Sequence, residues 1–189
     1  MLEHDLNKHL RAYVGDPDNQ VYRAELVNIL CSDNRPNSPH LDRFLFVYGS
    51  LRQDQYNYER MIAQFGKENF VFIHSGYANS FRLYSMGAYP VAVEDDYRYQ
   101  IQGEIFYCSP EVANAIKNME LGAGYKASNG LVWLKTSPKV ERSMFCRKYV
   151  ATEMLKDIVK KNTYMYPEVK SGNWVKYIMQ TNAILETNE

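Results

Sequence analysis

A short apolar strand that runs directly into a Gly-Ser turn constrains the fold more than any other stretch. The side chains of Phe44-Leu-Phe-Val-Tyr48 alternate between two faces, and both faces are apolar. The strand is therefore predicted to be buried on both sides. Gly49 follows it, and without a Cβ the backbone can turn sharply and approach a ligand. We expect the amides of Gly49, Ser50 and Leu51 to be free to bind an anion or a polarised carbonyl, although a purely structural turn is the alternative.

Length and charge limit the classes of function. A chain of 189 residues suffices for one ordinary domain with a core and a small appendage. The 22 Lys and Arg balance the 22 Asp and Glu, so no overall basic footprint predicts nucleic-acid binding. Sixteen Tyr and eight Phe favour a compact core that contains β-structure and a pocket lined by aromatic rings.

Sequence patterns for a membrane segment, a metal site or a bound cofactor are missing. Apolar runs stay short of the roughly 20 residues of a membrane span, and the first residues lack the features of a signal peptide, so we expect a soluble cytoplasmic protein. The three cysteines lie far apart, and the four histidines form no metal set. Phosphate loops, dinucleotide fingerprints and nucleophile–histidine pairs are also missing. The sequence favours chemistry without a cofactor.

Residues 1–40 are predicted to form a helical extension and a linker, and residues 41–189 the main domain. Apolar residues repeat at helical spacing up to Val14, and a second helix is expected from about 19 to 30. A polar, proline-containing linker is predicted at 31–40. The apolar faces of the extension must be covered either by the domain or by another chain. A protein partner or self-association through the extension is therefore one of two open outcomes.

Two helices of the domain can be placed from their end signals. Asp54 is predicted to cap a helix whose apolar face ends near Phe65. Ser109 and Pro110 predict the start of another helix, with serine as the cap and proline at the first position. Gly122 is expected to end that helix.

The strands of the domain are predicted from short apolar runs that turn residues separate. In order, they are expected at 69–75, 80–85, 89–93, 99–107, 131–136 and 143–150. Gly76 is expected to end the first of these, and two helices follow the last. Helices and strands in this order predict an α+β fold.

Glu120 is the best candidate for a catalytic group. It lies near the end of the helix that starts at Pro110, about 90° from the centre of the apolar stripe at roughly 100° per residue. Its carboxylate is therefore expected to be partly desolvated. Desolvation raises the pKa of a carboxyl group, which a glutamate needs in order to act as a base and then as an acid near neutral pH. The alternative is a solvated or lysine-paired glutamate at a helix end.

Two other stretches are weaker candidates. The turn Tyr89-Pro90 either lines a pocket or is only a turn. Gly103 interrupts a strand, which predicts a bulge or a close approach of two backbones. Glu104, the next residue, is a candidate site residue or an exposed strand residue.

Four short motifs occur in order along the domain. They are Phe46-Val-Tyr-Gly-Ser-Leu-Arg52, Leu83-Tyr-Ser-Met-Gly-Ala-Tyr-Pro90, Gln102-Gly-Glu-Ile-Phe-Tyr107 and Ile116-Lys-Asn-Met-Glu-Leu-Gly-Ala-Gly-Tyr125. Together they resemble the gamma-glutamylcyclotransferase-like family, which also includes plant proteins named for avirulence-induced genes. The closing Ser171-Gly-Asn-Trp174 is similar to the ending of small bacterial members. This chain departs from the family pattern at Lys117, where aspartate is usual, and at Leu121, where glycine is usual.

The resemblance implies a fold, a reaction and a set of site residues. The implied fold is a mixed β-sheet or small barrel with flanking helices. In the implied reaction the α-amine of a gamma-glutamyl amide attacks its own γ-carbonyl, forming 5-oxoproline and releasing an amine or amino acid without a cofactor. Glu120 falls on the catalytic glutamate and Tyr48–Leu51 on the substrate cradle. Tyr89, Pro90 and Tyr125 are expected to line the substrate pocket.

Two other classes of function stay open at this point. One is a non-catalytic module that binds a small ligand or a protein on the same fold. The other is an amide hydrolase acting on a related substrate. The presence of Glu120 favours an enzyme over a binding module.

Overall fold

The computed structural model of the chain describes residues 2–32, 41–135 and 142–186. In these ranges the α-helices are α1 (Leu2–Gly15), α2 (Gln20–Ser32), α3 (Tyr56–Phe65), α4 (Pro110–Gly122), α5 (Glu153–Lys161) and α6 (Trp174–Glu186). The strands are β1 (Phe44–Val47), β2 (Phe70–Asn79), β3 (Phe81–Ser85), β4 (Pro90–Glu94), β5 (Gln100–Cys108), β6 (Tyr125–Leu134) and β7 (Ser143–Ala151). The predicted α+β class is confirmed. None of the helices in the described ranges has the length and apolar character needed to cross a membrane.

Five strands close into a small barrel in the order β1, β5, β2, β6, β7. The parallel pairing of β7 with β1 completes the barrel, and the other neighbours pair antiparallel. β3 and β4 form a separate two-stranded ribbon. In the register of β1 with β5, Val47 lies opposite Glu104. The end of β1 is therefore held beside the middle of β5.

The two faces of β1 belong to two different apolar clusters. Phe44 and Phe46 lie in the cluster that fills the barrel. Leu45 and Val47 lie in a second cluster, formed with apolar side chains of β4, α3, α4 and α5. All four side chains are buried, as the alternation in the sequence predicted. Packing on both faces fixes the point at which the following loop leaves the barrel.

The two N-terminal helices pack against the barrel of the same chain. Their buried apolar residues join the barrel cluster and are Leu6, Leu10, Tyr13, Leu26, Val27 and Leu30. The Tyr13 hydroxyl also donates a hydrogen bond to the Phe72 carbonyl, and Arg142 donates to the side chain of Asn28. Of the two outcomes expected for the extension, the structure therefore shows coverage by the domain. Binding of a partner or self-association through the extension stays a prediction.

Two predicted boundaries around helices need comment. Asp54 does not cap α3, which is a correction: it has a positive φ of 61°, and Gln55 precedes the helix without a side-chain cap. Of the predicted linker at 31–40, the first two residues belong to α2 and residues 33–40 lie outside the described ranges. The predicted cap of α4 is confirmed, because the Ser109 hydroxyl accepts a hydrogen bond from the Val112 amide at 3.3 Å.

Two predicted strand boundaries are wrong because pairing overrides local sequence. Gly76 does not end β2, which runs on to Asn79, since at Gly76 the strand pairs with both β5 and β6. A Cβ at Gly76 would lie 2.7 Å from the Trp133 carbonyl oxygen, so glycine permits this close contact. β6 begins at Tyr125 instead of 131, because its first half pairs residue by residue with β7.

Candidate functional site

A cavity of about 160 Å³ brings together the predicted catalytic and substrate-binding residues, while the weaker candidate Glu104 is not part of its lining. It is bordered by the end of β1 and the loop after it, the start of β4, the end of α4, and strands β6 and β7. The predicted residues that line it are Tyr48, Gly49, Ser50, Leu51, Tyr89, Pro90, Glu120 and Tyr125. Segments far apart in sequence thus meet at one place, while the chemical role of each residue remains a prediction.

The loop after β1 uses its carbonyl groups and leaves its amides unpaired. The Ser50 carbonyl accepts hydrogen bonds from the amides of Asn57 and Tyr58 at 3.0 and 3.1 Å, and the Gly49 carbonyl accepts from Arg52 at 3.0 Å. Within the described chain, the amides of residues 49–51 donate to no protein acceptor. Since these residues line the cavity, the loop has three donors available for a ligand.

Gly49 is required by packing against Pro90. A Cβ at this position would lie 2.7 Å from both Cδ and Cγ of the Pro90 ring, which is too close for any real contact. The expected reason for a glycine here was close approach of a ligand. The structure instead shows that the absent side chain makes room for Pro90, and so lets the first residue of β4 pack against the loop.

Glu104 anchors the loop from the barrel side. Glu104 is 7% exposed, and its Oε1 accepts hydrogen bonds from Nε and Nη2 of Arg52, both at 3.1 Å. Its Oε2 accepts from the Gln53 amide at 2.8 Å, and Arg52 Nη1 reaches Asn173 Oδ1 at 3.1 Å. This charge-assisted pair ties the loop to β5 and to the segment before α6. The reading of Glu104 as an exposed strand residue is therefore wrong.

Gly103 allows the backbones of β1 and β5 to approach closely, as predicted. A Cβ there would lie 2.2 Å from the Val47 carbonyl oxygen and 2.7 Å from the Phe46 ring. The alternative prediction, a bulge at Gly103, is wrong: the pairing of β5 with β2 is regular there, and its one register shift lies between Phe72 and His74. Glycine at 103 therefore positions the end of β1, where the loop begins.

Helix α4 places Glu120 at the cavity. Val112 and Ile116 are fully buried and hold the helix against the second apolar cluster. Glu120, one turn after Ile116, is half-buried and lines the cavity. Leu121 is 46% exposed, and the helix continues to Gly122. The leucine that replaces the family's usual glycine therefore points its bulk to solvent and leaves the cavity open.

The Glu120 carboxyl group is desolvated and has no protein partner in the described ranges. Burial raises the pKa of this group from 4.5 to about 7. No side chain or amide of the described residues donates a hydrogen bond to it, so nothing lowers the pKa again. A carboxyl group with this pKa is present in both ionisation states at neutral pH, so it can accept a proton and return one.

Three tyrosines lie near Glu120, and the hydroxyl protons of two of them are already engaged. The Tyr48 hydroxyl donates to the Tyr149 carbonyl at 2.5 Å, and the Tyr125 hydroxyl donates to the Pro90 carbonyl at 2.9 Å. Burial raises the pKa of Tyr48 and Tyr125, and raises that of Tyr149 to about 12; repulsion from the Glu120 carboxylate adds to each. These phenols stay neutral and form the wall. Among the described residues that line the cavity, Glu120 is the group that titrates near neutral pH.

Asn57 and Tyr149 line the cavity without having been predicted. Asn57 Nδ2 donates to the Ser50 hydroxyl at 2.7 Å, which leaves the Ser50 proton free to face a ligand. The one local signal for Asn57 was its place just after the loop. Tyr149 reaches the cavity through the closure of the barrel, which no local pattern reveals. Tyr89 is 40% exposed and lies at the mouth.

Among the described residues there is no cluster of three or more side chains that could hold a metal ion. The site consists instead of one titrating carboxyl group, three free backbone donors and an aromatic wall. This combination suits proton transfer at a polarised carbonyl group.

A protein-family comparison matches residues 45–176 to the family described as "Gamma-glutamyl cyclotransferase, AIG2-like". Among solved structures, YkqA from Bacillus subtilis is similar with a TM-score of 0.54 and 20% identity, over 75% of this chain and 42% of that one. The protein c4763, specific to uropathogenic E. coli, has a TM-score of 0.50 and 20% identity, over 72% and 94% of the two chains. An AIG2-like protein from mouse has a TM-score of 0.49 and 19% identity, over 60% of this chain and 82% of the mouse chain. Comparison with curated protein sequences gives no significant match.

Proposed function

The chain belongs to the AIG2-like gamma-glutamyl cyclotransferase family, and from that premise we propose that it is a cofactor-free gamma-glutamyl cyclotransferase. One observation carries the proposal. The Glu120 carboxyl group, whose pKa burial raises to about 7, shares a cavity with the three unpaired amides of residues 49–51. A proton carrier and a set of oxyanion donors are the two functions that this reaction needs.

The proposed reaction is an internal acyl transfer. The α-amine of the substrate attacks the γ-carbonyl carbon, a new C–N bond closes the ring, and the original amide C–N bond breaks. The products are 5-oxoproline and a free amine or amino acid. Water is neither consumed nor released, so the atoms balance between one substrate and two products.

Glu120 acts as the base and then as the acid. Its carboxylate takes a proton from the attacking amine and gives a proton to the departing nitrogen. A pKa of about 7 suits both halves of this cycle, because neither ionisation state is costly at neutral pH. The absence of a hydrogen-bond donor to the carboxylate in the described chain leaves its oxygens free for these transfers.

The loop amides stabilise the charge that develops on the γ-carbonyl oxygen. Gly49, Ser50 and Leu51 supply the donors, and the Glu104–Arg52 pair and Pro90 hold the loop in place. Loss of one oxyanion donor typically costs about 3 kcal/mol of transition-state stabilisation. Because ring closure is intramolecular, the remaining task is to hold the bent conformer of the substrate, and we assign it to Tyr89, Pro90 and Tyr125.

The proposal is tested by measuring 5-oxoproline release from gamma-glutamyl dipeptides, glutathione and gamma-glutamyl amines. At least one class should yield 5-oxoproline, and Glu120→Gln should reduce its rate by about 10²- to 10⁴-fold, the usual contribution of a positioned acid–base. Glu111→Gln, an exposed acid on the same helix, is the matched control and should keep full activity. Release of glutamate would indicate a hydrolase instead, and no product from folded protein would contradict the proposal.

A further inference from the structure

Asn173 lies between two residues whose positions the barrel fixes. Gly172, before it, has a φ of 62°, and a Cβ there would lie 2.1 Å from the Gln100 carbonyl oxygen. The Gly172 carbonyl accepts a hydrogen bond from the Gln102 amide at 2.8 Å, which ties this segment to β5. Trp174, after it, is buried in the cluster that fills the barrel. The backbone of Asn173 is therefore held from both sides.

The Asn173 side chain presents its oxygen to Arg52. Its Oδ1 accepts hydrogen bonds from Arg52 Nη1 at 3.1 Å and from the Lys176 amide, in the first turn of α6, at 3.2 Å. Its Nδ2 donates to Gln102 Oε1 at 3.3 Å, and the same oxygen accepts from Lys135 Nζ at 2.7 Å. Arg52 and Lys135 can only donate, so the donors at the two ends of this chain of contacts fix the orientation of both amides.

The contacts of Arg52 with Glu104 leave one rotation of the guanidinium group open. Nε and Nη2 both donate to the same carboxylate oxygen, Oε1, while Oε2 accepts from the Gln53 amide. Two donors on a single acceptor atom allow the guanidinium plane to pivot about that atom, whereas donors on two oxygens would lock it. The bond from Nη1 to Asn173 is a third contact, on the opposite side of the guanidinium group. This contact stops the pivot.

The Arg52 backbone closes the loop whose amides remain free. Arg52 follows Leu51 in the chain, and its own amide donates to the Gly49 carbonyl at 3.0 Å. Displacement of the guanidinium group is therefore transmitted to the backbone of residues 49–51. A misplacement of about 1 Å can lower the rate of a catalysed reaction by about 10²-fold.

On the basis of the proposed function, we infer that Asn173 is a positioning residue for the oxyanion donors of residues 49–51 and acts through Arg52. It does not line the cavity, so its effect on the reaction is indirect. The segment before α6 thereby fixes the direction in which the loop after β1 presents its amides. Asn173 also caps α6 through the Lys176 amide, and the test must separate these two roles.

Three substitutions of Asn173 separate positioning of the loop from capping of the helix. Asn173→Ser keeps an oxygen that can cap α6 but is too short to reach Arg52. Its kcat for 5-oxoproline release should fall by about 10- to 100-fold, with a much smaller change in KM, because the oxyanion forms only in the transition state. Asn173→Asp keeps the acceptor for both Arg52 and Lys176 and should restore kcat. Asn173→Ala loses both contacts, so kcat and stability should fall together.

Asn19→Ala is the matched control for the loss of a helix cap. Asn19 Oδ1 accepts hydrogen bonds from the amides of Val21 and Tyr22 at 3.1 and 3.3 Å, at the start of α2. The variant should therefore have a lower melting temperature and an unchanged kcat. Circular dichroism checks that each variant is folded.

A double-mutant cycle tests the route through Arg52. Arg52→Lys keeps a positive charge beside Glu104 but lacks the planar group that contacts Glu104 and Asn173 together. In this background Asn173→Ser should cause little further loss of kcat, because the contact is already missing. A full further loss would show that Asn173 does not act through Arg52 and would overturn the inference.

Order parameters of the amides of residues 49–51, from ¹⁵N NMR relaxation, give a readout that does not depend on activity. In Asn173→Ser they should fall from about 0.85, the value of a rigid backbone, towards about 0.6, and they should stay unchanged in Asn173→Asp and Asn19→Ala. Wild-type kcat in Asn173→Ser, with turnover lost in Glu120→Gln, would overturn the positioning role and leave the cyclotransferase intact. If the wild-type protein yields no 5-oxoproline, the proposed function fails. The order parameters then decide, and unchanged values in Asn173→Ser overturn the inference.

Discussion

Two glutamates on either side of one loop, Glu104 buried and Glu120 half-buried, have opposite surroundings. Glu104 accepts three hydrogen bonds, two from Arg52 and one from the Gln53 amide. Glu120 is half-buried and partly desolvated, and no donor in the described chain compensates its charge. The comparison teaches that burial alone does not make a carboxylate reactive. What matters is whether the surrounding protein already satisfies the charged form.

The same comparison separates structure from chemistry. The Glu104–Arg52 pair holds the loop in which the amides of residues 49–51 stay free, so Glu104 acts through position. Glu120 bears the cost of desolvation without compensation, and the result is a pKa near neutrality. Substitution of the two residues should therefore have different consequences for activity and for stability.

The largest expected effect is the loss of turnover in Glu120→Gln at unchanged or higher stability. Removing the proton carrier should lower kcat by about 10²- to 10⁴-fold. Removing a partly desolvated charge also removes the free-energy cost of its desolvation. Turnover and urea unfolding of the same preparation check both parts. A variant that loses stability together with activity would place Glu120 in the same structural class as Glu104.

Glu104→Gln is expected to destabilise the protein by about 3 kcal/mol or more, because it leaves the Arg52 charge buried without its partner. Activity should fall as a consequence of loop displacement. Urea unfolding measures the loss, and Glu104→Gln/Arg52→Met should recover part of it, since the double variant leaves no unpaired charge. Equal stability of Glu104→Gln and wild type would contradict the structural role.

The titration of Glu120 should contribute to the pH dependence of the free energy of unfolding. Its pKa is raised from 4.5 to about 7 on folding, so between these values the folded state binds more protons than the unfolded state. The stabilising contribution of the protonated group is therefore present below about pH 4.5 and is lost as the pH rises to about 7, on the order of 3 kcal/mol in total. Urea unfolding between pH 4.5 and 8 should show this loss in wild type and not in Glu120→Gln. Parallel pH curves for the two proteins would contradict it.

A third ionisable group, Lys148, has no hydrogen-bonding partner among the described residues, and its substitution is expected to change stability by a smaller amount. It is 3% exposed on β7, its Nζ lies 5.4 Å from the centre of the Phe81 ring, and burial lowers its pKa. The negative charge of Glu94 offsets this shift in part. Because Lys148 has no hydrogen-bond or ion-pair partner in the described residues, Lys148→Met should stabilise the protein at pH 7 by about 1 to 2 kcal/mol.

Because the pKa of Lys148 is lowered on folding, stability changes with pH in the opposite direction to that expected for a lysine whose pKa is raised. Between the lowered pKa and the usual value of 10.5, the unfolded state binds more protons, so wild-type stability rises with pH across this window. Lys148→Met should lack this rise. Thermal unfolding at pH 7 and pH 9.5 compares the two proteins, and a destabilised variant would show that the amine is satisfied in the fold.

The candidate site was predictable because its main residues carry local signals. A glycine after an apolar strand marked the loop at 49–51, and helical geometry put Glu120 at the margin of an apolar stripe. The family resemblance then selected these two signals from among weaker ones. The strand alternation similarly predicted that both faces of β1 are buried.

Other features depend on contacts between distant segments, which local patterns do not encode. The first half of β6 contains Lys126, Ser128 and Asn129, and these polar residues form a strand only because β7 pairs with them. Glu104 was ambiguous because its partner Arg52 meets it through the register of β1 with β5.

The most direct test of the difference between the two glutamates is an NMR titration of their side-chain carboxyl groups, labelled with ¹³C at Cδ. Spectra of wild type and Glu120→Gln, compared from pH 3 to 9, identify the Glu120 signal by its absence from the variant. The expected midpoint for Glu120 is about 7, as its uncompensated burial requires. A midpoint near the ordinary value of 4.5 would show a solvated or satisfied carboxylate and would contradict its assignment as the proton carrier.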